Sequence, residues 1–285
     1  MSFISSIHAH LPPYAISMVR LLVWLVLLSI IFVPLERLFA VRSENRPGRS
    51  ERLHNLVYYF ASSLLPALVL GAPLALAATG AGLLLPAALP AAVGALPFPV
   101  RLALALVASE IGFYWAHRLS HALPWLWRFH AVHHSPAHLY FLVHTRAHPV
   151  DLIFTRMCSL LPLYVLGLAT PDAHGSATPV ALILGAAVWG FFIHSNLRVR
   201  LGPLEWLVAS PAFHHWHHSR GAPVNRNFAA TLPLLDKLFG TLHLPPTWPA
   251  EYGTETALAP TLAGQLVDPL RHAPLPPPST RAERG

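Results

Sequence analysis

Long apolar blocks separated by prolines and short basic loops dominate this chain, and they limit what it can fold into. One block runs from Ala15 to Ala40 through Leu21-Leu-Val-Trp-Leu-Val-Leu-Leu-Ser-Ile-Ile-Phe-Val33. Others span Leu56 to Thr79, Val100 to Ala116, Leu152 to Ala169 and Pro179 to His194. A helix rises ~1.5 Å per residue, so about 20 apolar residues cross a hydrocarbon core of ~30 Å. Inside that core every backbone N–H and C=O must find a partner within the protein, a condition that helices meet segment by segment. Composition points the same way, with 54% hydrophobic and 11% charged residues, where soluble domains carry about 25% charged. The expected fold class is all-α: a polytopic membrane bundle of about four to five transmembrane helices.

The first block is too long for the apolar core of a secretory leader. No basic segment precedes it and no small-x-small cleavage site follows, so it reads as a retained helix. Ala81 to Pro99 is apolar but interrupted by Pro86, Pro90, Pro97 and Pro99, and is expected to be an irregular or re-entrant hairpin. The loop Val41 to Asn55 carries Arg42, Arg46, Arg49 and Arg52, which places it on the cytoplasmic side by the positive-inside rule. Following the crossings from there brings His117 to His148, and everything from His194 onward, to that same side as a cytoplasmic helical cap. An additional crossing within 81–99 would separate the arginine loop from the histidines.

The chain has 19 histidines, and three groups stand out: His117-Arg-Leu-Ser-His121, His130-Ala-Val-His133-His134 and His214-His215-Trp-His217-His218. Residues at i, i+3 and i+4 project from one helix face, so each group can present its imidazoles together. One H-x-x-H-H string would arise by chance in roughly one such chain in ten, but two copies plus an H-x-x-x-H would not. His117, His121, His130, His133, His134, His214, His217 and His218, with His194 at the end of the last apolar block, make nine candidate metal ligands. A zinc site uses three or four protein ligands, so nine suit two metals better. Imidazole does not by itself select the metal. A site at the end of a lipid-embedded bundle meets hydrocarbon, however, and unactivated C–H bonds need an oxidant made from dioxygen, which favours iron.

Neutral imidazoles leave the charge of two cations uncancelled, so nearby carboxylates matter. Glu110 leads because it precedes His117 by two helical turns, with Asp151 and Asp236 as weaker candidates. The plainer alternative for Glu110 is a carboxylate facing water, and for Asp236 a salt bridge to Lys237 or Arg226. The lone Cys158 excludes disulfides within the chain. The net charge of +7 fits arginines at membrane ends, and no aromatic-basic interleaving points to nucleic acid.

Several ordered motifs carry a resemblance. Tyr114-Trp-Ala-His117-Arg-Leu-Ser-His121 is followed by Phe129-His-Ala-Val-His-His134-Ser. The third histidine group then leads into Asn227-Phe-Ala-Ala-Thr-Leu-Pro-Leu-Leu-Asp236-Lys-Leu-Phe-Gly-Thr241. From Ser109 to Leu244 the chain resembles the membrane fatty acid hydroxylase / sterol desaturase superfamily. The resemblance implies two iron ions held by His117, His121, His130, His133, His134, His194, His214, His217 and His218, with dioxygen as co-substrate. It also implies electrons from an external donor, ferredoxin-like or a cytochrome, and hydroxylation or desaturation of a fatty acyl, sterol, hopanoid or alkylglycerol lipid. His215 falls at a variable position of the third motif and is left out. Arg146-Ala-His148-Pro149-Val-Asp151 resembles a His-Pro-x-acid segment of the superfamily, making His148 a candidate ligand or orienting group.

The expected organisation is an N-terminal transmembrane region over 1–99, a catalytic domain over 100–245 that contains two membrane hairpin helices, and a loosely ordered proline-rich tail over 246–285. A bacterial inner membrane is the expected location, with the active site facing the cytoplasm. Two rival classes are a membrane zinc hydrolase and a non-catalytic metal-binding membrane protein. The first lacks an H-E-x-x-H motif, and the second would place its ligands at mid-membrane rather than at helix ends.

Overall fold

A computed structural model describes residues 12–44, 46–169, 177–221 and 225–271, and among these the regular structure is helical apart from two isolated bridge pairs. Helix α1 covers Pro13–Leu38, α2 Arg49–Val69, α3 Gly71–Leu84, α4 Ala88–Gly94 and α5 Phe98–Ala122. Then follow α6 at Pro124–His134, α7 at Pro149–Val165, α8 at Ala177–His194, α9 at Pro211–His217, α10 at Leu234–Leu238 and α11 at Leu262–Arg271. Four segments are long and apolar enough to cross a membrane: Tyr14–Leu38, Arg49–Leu84, Phe98–Ala122 and Ala177–His194. Their outer faces expose Val23, Ile30, Leu76, Leu83 and Ile183, side chains suited to lipid contact.

Proline sets most of the boundaries. Pro73 has no N–H for the Val69 carbonyl, and α2 gives way to α3 at Leu70. The segment 81–99 forms the end of α3, a turn, and the seven-residue α4, which is far too short to cross a bilayer. Ahead of Pro124, Leu123 is extended at φ −98 and ψ 117, the conformation imposed on a residue that precedes proline. The chain therefore turns sharply between α5 and α6, and the second histidine group leaves the axis of the first.

The arginine loop and the histidines share one end of the bundle. Val41 N–H donates to the Asn196 carbonyl at 3.2 Å, and Asn196 Nδ2 donates to the Arg42 carbonyl at 2.9 Å. The half-buried Glu36 carboxylate accepts from the Phe141 and Asn196 amides at 2.8 and 3.0 Å. It thereby ties α1 to the 3-10 turn Phe141–Thr145 and to the chain just past His194.

Helix α7, with 17 residues, packs closely on α5. Ser109 and Ser159 hydroxyls meet at 2.7 Å, and a Cβ built at Gly112 would lie 2.0 Å from the Cys158 carbonyl oxygen. Small residues let membrane helices approach backbone to backbone. Gly112→Ala is therefore expected to cost about 1–3 kcal/mol or more by overpacking. Gly185→Ala, where a Cβ meets nothing within 4 Å, serves as the control. Equal thermal midpoints for the two variants in detergent would contradict this packing.

The region after Leu244 departs from the expected loose tail as far as it is described, while 272–285 lie outside the described residues. Tyr252 is buried and bonded to His215 at 2.8 Å. On α11, Gln265 meets the Tyr58 hydroxyl at 3.2 Å and the Leu266 carbonyl accepts from His148 at 3.0 Å. Proline-rich composition read as disorder, whereas a few polar anchors hold this segment against the bundle.

Candidate metal centre

Four helices deliver the histidines. Helix α5 supplies His117 and His121 in its last turns, α6 supplies His130, His133 and His134, α8 ends on His194, and α9 supplies His214 and His217 with His218 as its C-cap. The rings sort into two groups whose ligand atoms lie within 4.8 Å of one another. His117, His121, His130, His134 and His217 form one, and His133, His194, His214 and His218 the other. All nine are buried, His133 the most exposed at 9%.

The H-x-x-H-H spacing explains the sorting. In α6 the i, i+4 pair His130 and His134 faces the first group, and the odd member His133 turns to the second. At α9 the i, i+4 pair His214 and His218 faces the second group and His217 turns to the first. Each of these elements thus contributes to both groups and holds them side by side. His134 stacks on His218 with ring centroids 4.4 Å apart, and His133 lies 4.7 Å from His218.

The far nitrogens determine the tautomers. The Nδ1–H of His117 donates to the Phe228 carbonyl at 2.7 Å, that of His133 to Arg146 at 2.9 Å, that of His194 to Gly190 at 2.7 Å and that of His217 to Arg226 at 2.9 Å. His130 Nδ1–H donates to the Asp151 carboxylate at 3.0 Å. A carbonyl or carboxylate only accepts, so each of these rings carries its proton on Nδ1 and keeps a lone pair on Nε2. Those lone pairs converge: the Nε2 atoms of His117 and His130 are 3.1 Å apart, those of His133 and His194 3.2 Å, and those of His194 and His214 2.9 Å. Nε2 of His217 and one nitrogen each of His214 and His218 are buried without a hydrogen-bond partner. Such orphaned groups cost about 1–3 kcal/mol each. Cations bound between the rings would satisfy the lone pairs, and the donor set fits two metal ions.

Burial, reinforced by neighbouring imidazoles, holds these rings in the neutral form a metal requires. His133 is pushed down to about 4, and His134, His214, His217 and His218 lie well below the ordinary histidine value. Burial also holds His215 at about 4. With folded values below an unfolded value of ~6.5, the unfolded chain binds more protons in between. The stability of the metal-free protein is therefore fully present above about pH 6.5 and falls as pH drops toward about 4. Its thermal midpoint should be lower at about pH 5 than at about pH 7.5; a flat profile would mean that the rings are already solvated.

The carboxylates rank differently from expectation. Asp151 contacts a clustered ring directly, through His130, and also accepts from Ser120 at 3.4 Å. Glu110 faces the same chamber as His117, but its carboxylate accepts from the Thr231 and Leu232 amides at 2.6 and 3.2 Å. It fastens the loop that follows α9 to α5 and touches no ring nitrogen. Asp236 acts one bond further out: its oxygens accept from the Phe228 and Ala229 amides, both at 2.8 Å, and from Thr241 at 2.6 Å. It thereby fixes the peptide whose carbonyl holds His117. The alternative partners of Asp236 are engaged elsewhere, Lys237 over the Trp206 ring and Arg226 on the Gly240 carbonyl.

His148 stands outside both groups. Its Nδ1 caps α7 by accepting from Val150 N–H at 3.1 Å, and its Nε2 donates to Leu266, so the turn-forming explanation applies. His215 bridges the Ser195 carbonyl and Tyr252 and lies in neither group. The carbonyls of Phe228, Arg226 and Arg146 were invisible to sequence reasoning because every residue has one. His144, whose ring lies 5.2 Å from that of His194, had no motif around it.

Fold and site together define a class: a helical bundle with bilayer-length segments and two buried groups of imidazoles gathered at one end. Residues 102–241 match the fatty acid hydroxylase family. Ornithine lipid hydroxylase OlsE of Rhizobium tropici is 40% identical over 153 residues, 53% of this chain and 44% of that protein. Alkylglycerol monooxygenase of Danio rerio is 33% identical over 139 residues, 48% of this chain and 29% of that protein. Very-long-chain aldehyde decarbonylase GL1-11 of Oryza sativa subsp. indica is 28% identical over 138 residues, 47% of this chain and 49% of that protein. The matched regions thus span less than half the length of each of these relatives. No solved structure matches significantly.

Proposed function

We propose that this chain is a membrane-bound non-haem di-iron oxidoreductase that hydroxylates or desaturates a lipid, drawing electrons from a separate protein donor. The observation that carries the proposal is the pair of histidine groups, in which five rings have the far nitrogen pinned by a carbonyl or carboxylate and the near one facing inward. Iron held there would supply activation of dioxygen to an oxidant able to attack an unactivated C–H bond. Asp151 offsets part of the cationic charge through His130, while Asp236 keeps the Phe228 carbonyl aimed at His117. In a hydroxylation, one oxygen atom enters the C–H bond and the other leaves as water, with the electrons coming from the donor and the protons from solvent.

A cavity of about 140 Å³ lies against His117, His130, His133, His194 and His214. A second, of about 340 Å³ and mostly apolar, runs between α1, α2, α7 and α8. The two share His144, Ala147, Leu152 and Arg156 in their walls. This apolar approach from bilayer depth to the histidines is suited to a hydrocarbon chain and keeps water from the reacting carbon. Residues 100–245 constitute the catalytic domain in this proposal and 1–99 the N-terminal transmembrane region. The arginine loop orients the histidine end toward the cytoplasm, and the bacterial relative supports an inner-membrane location.

The test is expression in a bacterial host followed by mass spectrometry of lipid extracts under isotopically labelled dioxygen. A lipid gaining one labelled oxygen, or losing two hydrogens, is the expected result, together with two irons per purified chain. Stoichiometric zinc with turnover retained after iron is stripped would overturn it.

A further inference from the structure

Arg156 stands out among the groups that line the two cavities. It lies on α7 within the apolar stretch Leu152–Val165, and among the described residues it is the only lysine or arginine in the wall of either cavity. Most other polar side chains around it are engaged, Trp189 Nε1 in the inner cavity being an exception. In the outer cavity, Tyr59 donates to the Leu21 carbonyl, Ser62 to Thr145, Ser63 to Tyr59 and the Thr145 hydroxyl to Leu142. In the inner cavity, Glu110 is held by backbone amides and Asp151 by His130 and Ser120. Among the described residues no hydrogen bond or ion pair engages the Arg156 guanidinium. An unpaired cation in apolar surroundings is costly. A guanidinium in particular matches the planar, two-oxygen face of carboxylate and phosphate.

We propose that the paired cavities bind a lipid bearing an anionic oxygen group, a carboxylate or phosphate, and that Arg156 receives that group while the hydrocarbon lies against Leu21, Trp24, Leu28, Ile183 and Val188. This rests on the lipid-oxidising reading above and narrows its substrate class: neutral sterols and alkanes leave the arginine unpaired. Because Arg156 borders both cavities, the anionic group sits at their junction, beside His144 and next to the chamber that the clustered histidines line.

The test uses the full-length, iron-loaded protein in nanodiscs and a fluorescent acyl probe displaced by laurate, methyl laurate, dodecyl phosphate or dodecanol. Wild type is expected to prefer each anion over its neutral counterpart at least about tenfold. Arg156→Gln should abolish that preference, and Arg156→Lys should keep part of it, with iron content unchanged in both. Preference for laurate alone identifies a carboxylate lipid, and for dodecyl phosphate alone a phospholipid; either supports the proposal. Equal affinity of wild type for anionic and neutral ligands overturns it and leaves the lipid-oxidising reading standing. Failure of any acyl ligand to displace the probe overturns both. Should Arg156→Gln not fold, the wild-type preference and the lysine variant decide the matter.

Discussion

Alanine at His217 or at His133 is expected to abolish dioxygen-dependent lipid modification while the chain still inserts in the membrane. The two positions test different groups: His217 belongs with His117, His121, His130 and His134, and His133 with His194, His214 and His218. Each loss removes a donor from a set whose members converge within 4.8 Å, and each leaves a carbonyl, Arg226 or Arg146, without its imidazole donor. Neither ring sits in a bilayer-length segment, so insertion does not depend on it. Iron per chain, measured on purified protein alongside turnover, should fall by at least one in each variant. Retained turnover in either would remove that histidine from the ligand set. Alanine at His215, equally buried and adjacent in sequence, should spare iron binding and instead cost stability through its contacts to Ser195 and Tyr252.

The second large effect is expected at Asp151. Asparagine there preserves the shape but removes the negative charge that faces His130 Nδ1–H. Partners that orient a ligating histidine are typically worth about 10–100-fold in metal affinity or activity. Asp151→Asn should therefore weaken iron binding by about that factor in a chelator competition, with a normal helical circular dichroism spectrum. Glu110→Gln should leave iron affinity nearly unchanged and lower thermal stability, since Glu110 holds Thr231 and Leu232 rather than a ring. A reversed outcome, with Glu110 controlling affinity and Asp151 only stability, would refute the contact assignment. The sequence argument ranked these two in the opposite order because helical phase was all it had. Glu110 shares a face with His117, but which carboxylate reaches a nitrogen depends on how α7 packs against α5 and α6.

The elements themselves were largely readable. Apolar length marked the spanning helices, and prolines marked 81–99 as an irregular or re-entrant segment. His148 was ambiguous for a local reason, since a histidine before proline can cap a helix or bind a metal, and only the Leu266 carbonyl on its second nitrogen distinguishes the two. Residues 246–271 were misread as a loose tail because composition records how much apolar surface a segment has. It does not record that Tyr252, Gln265 and Leu266 find partners on distant helices.

Helix periodicity and hydropathy act over a few residues, and so the chain alone determined a helical membrane-type bundle and nine histidines spaced to face a common point. The division into groups of five and four, the carbonyls that set each tautomer and the unpaired Arg156 were decided by tertiary structure. These arise where segments such as His117 and Phe228, 111 residues apart, meet. Contacts of that range depend on the packing of whole helices, for which no local pattern in the chain is a record.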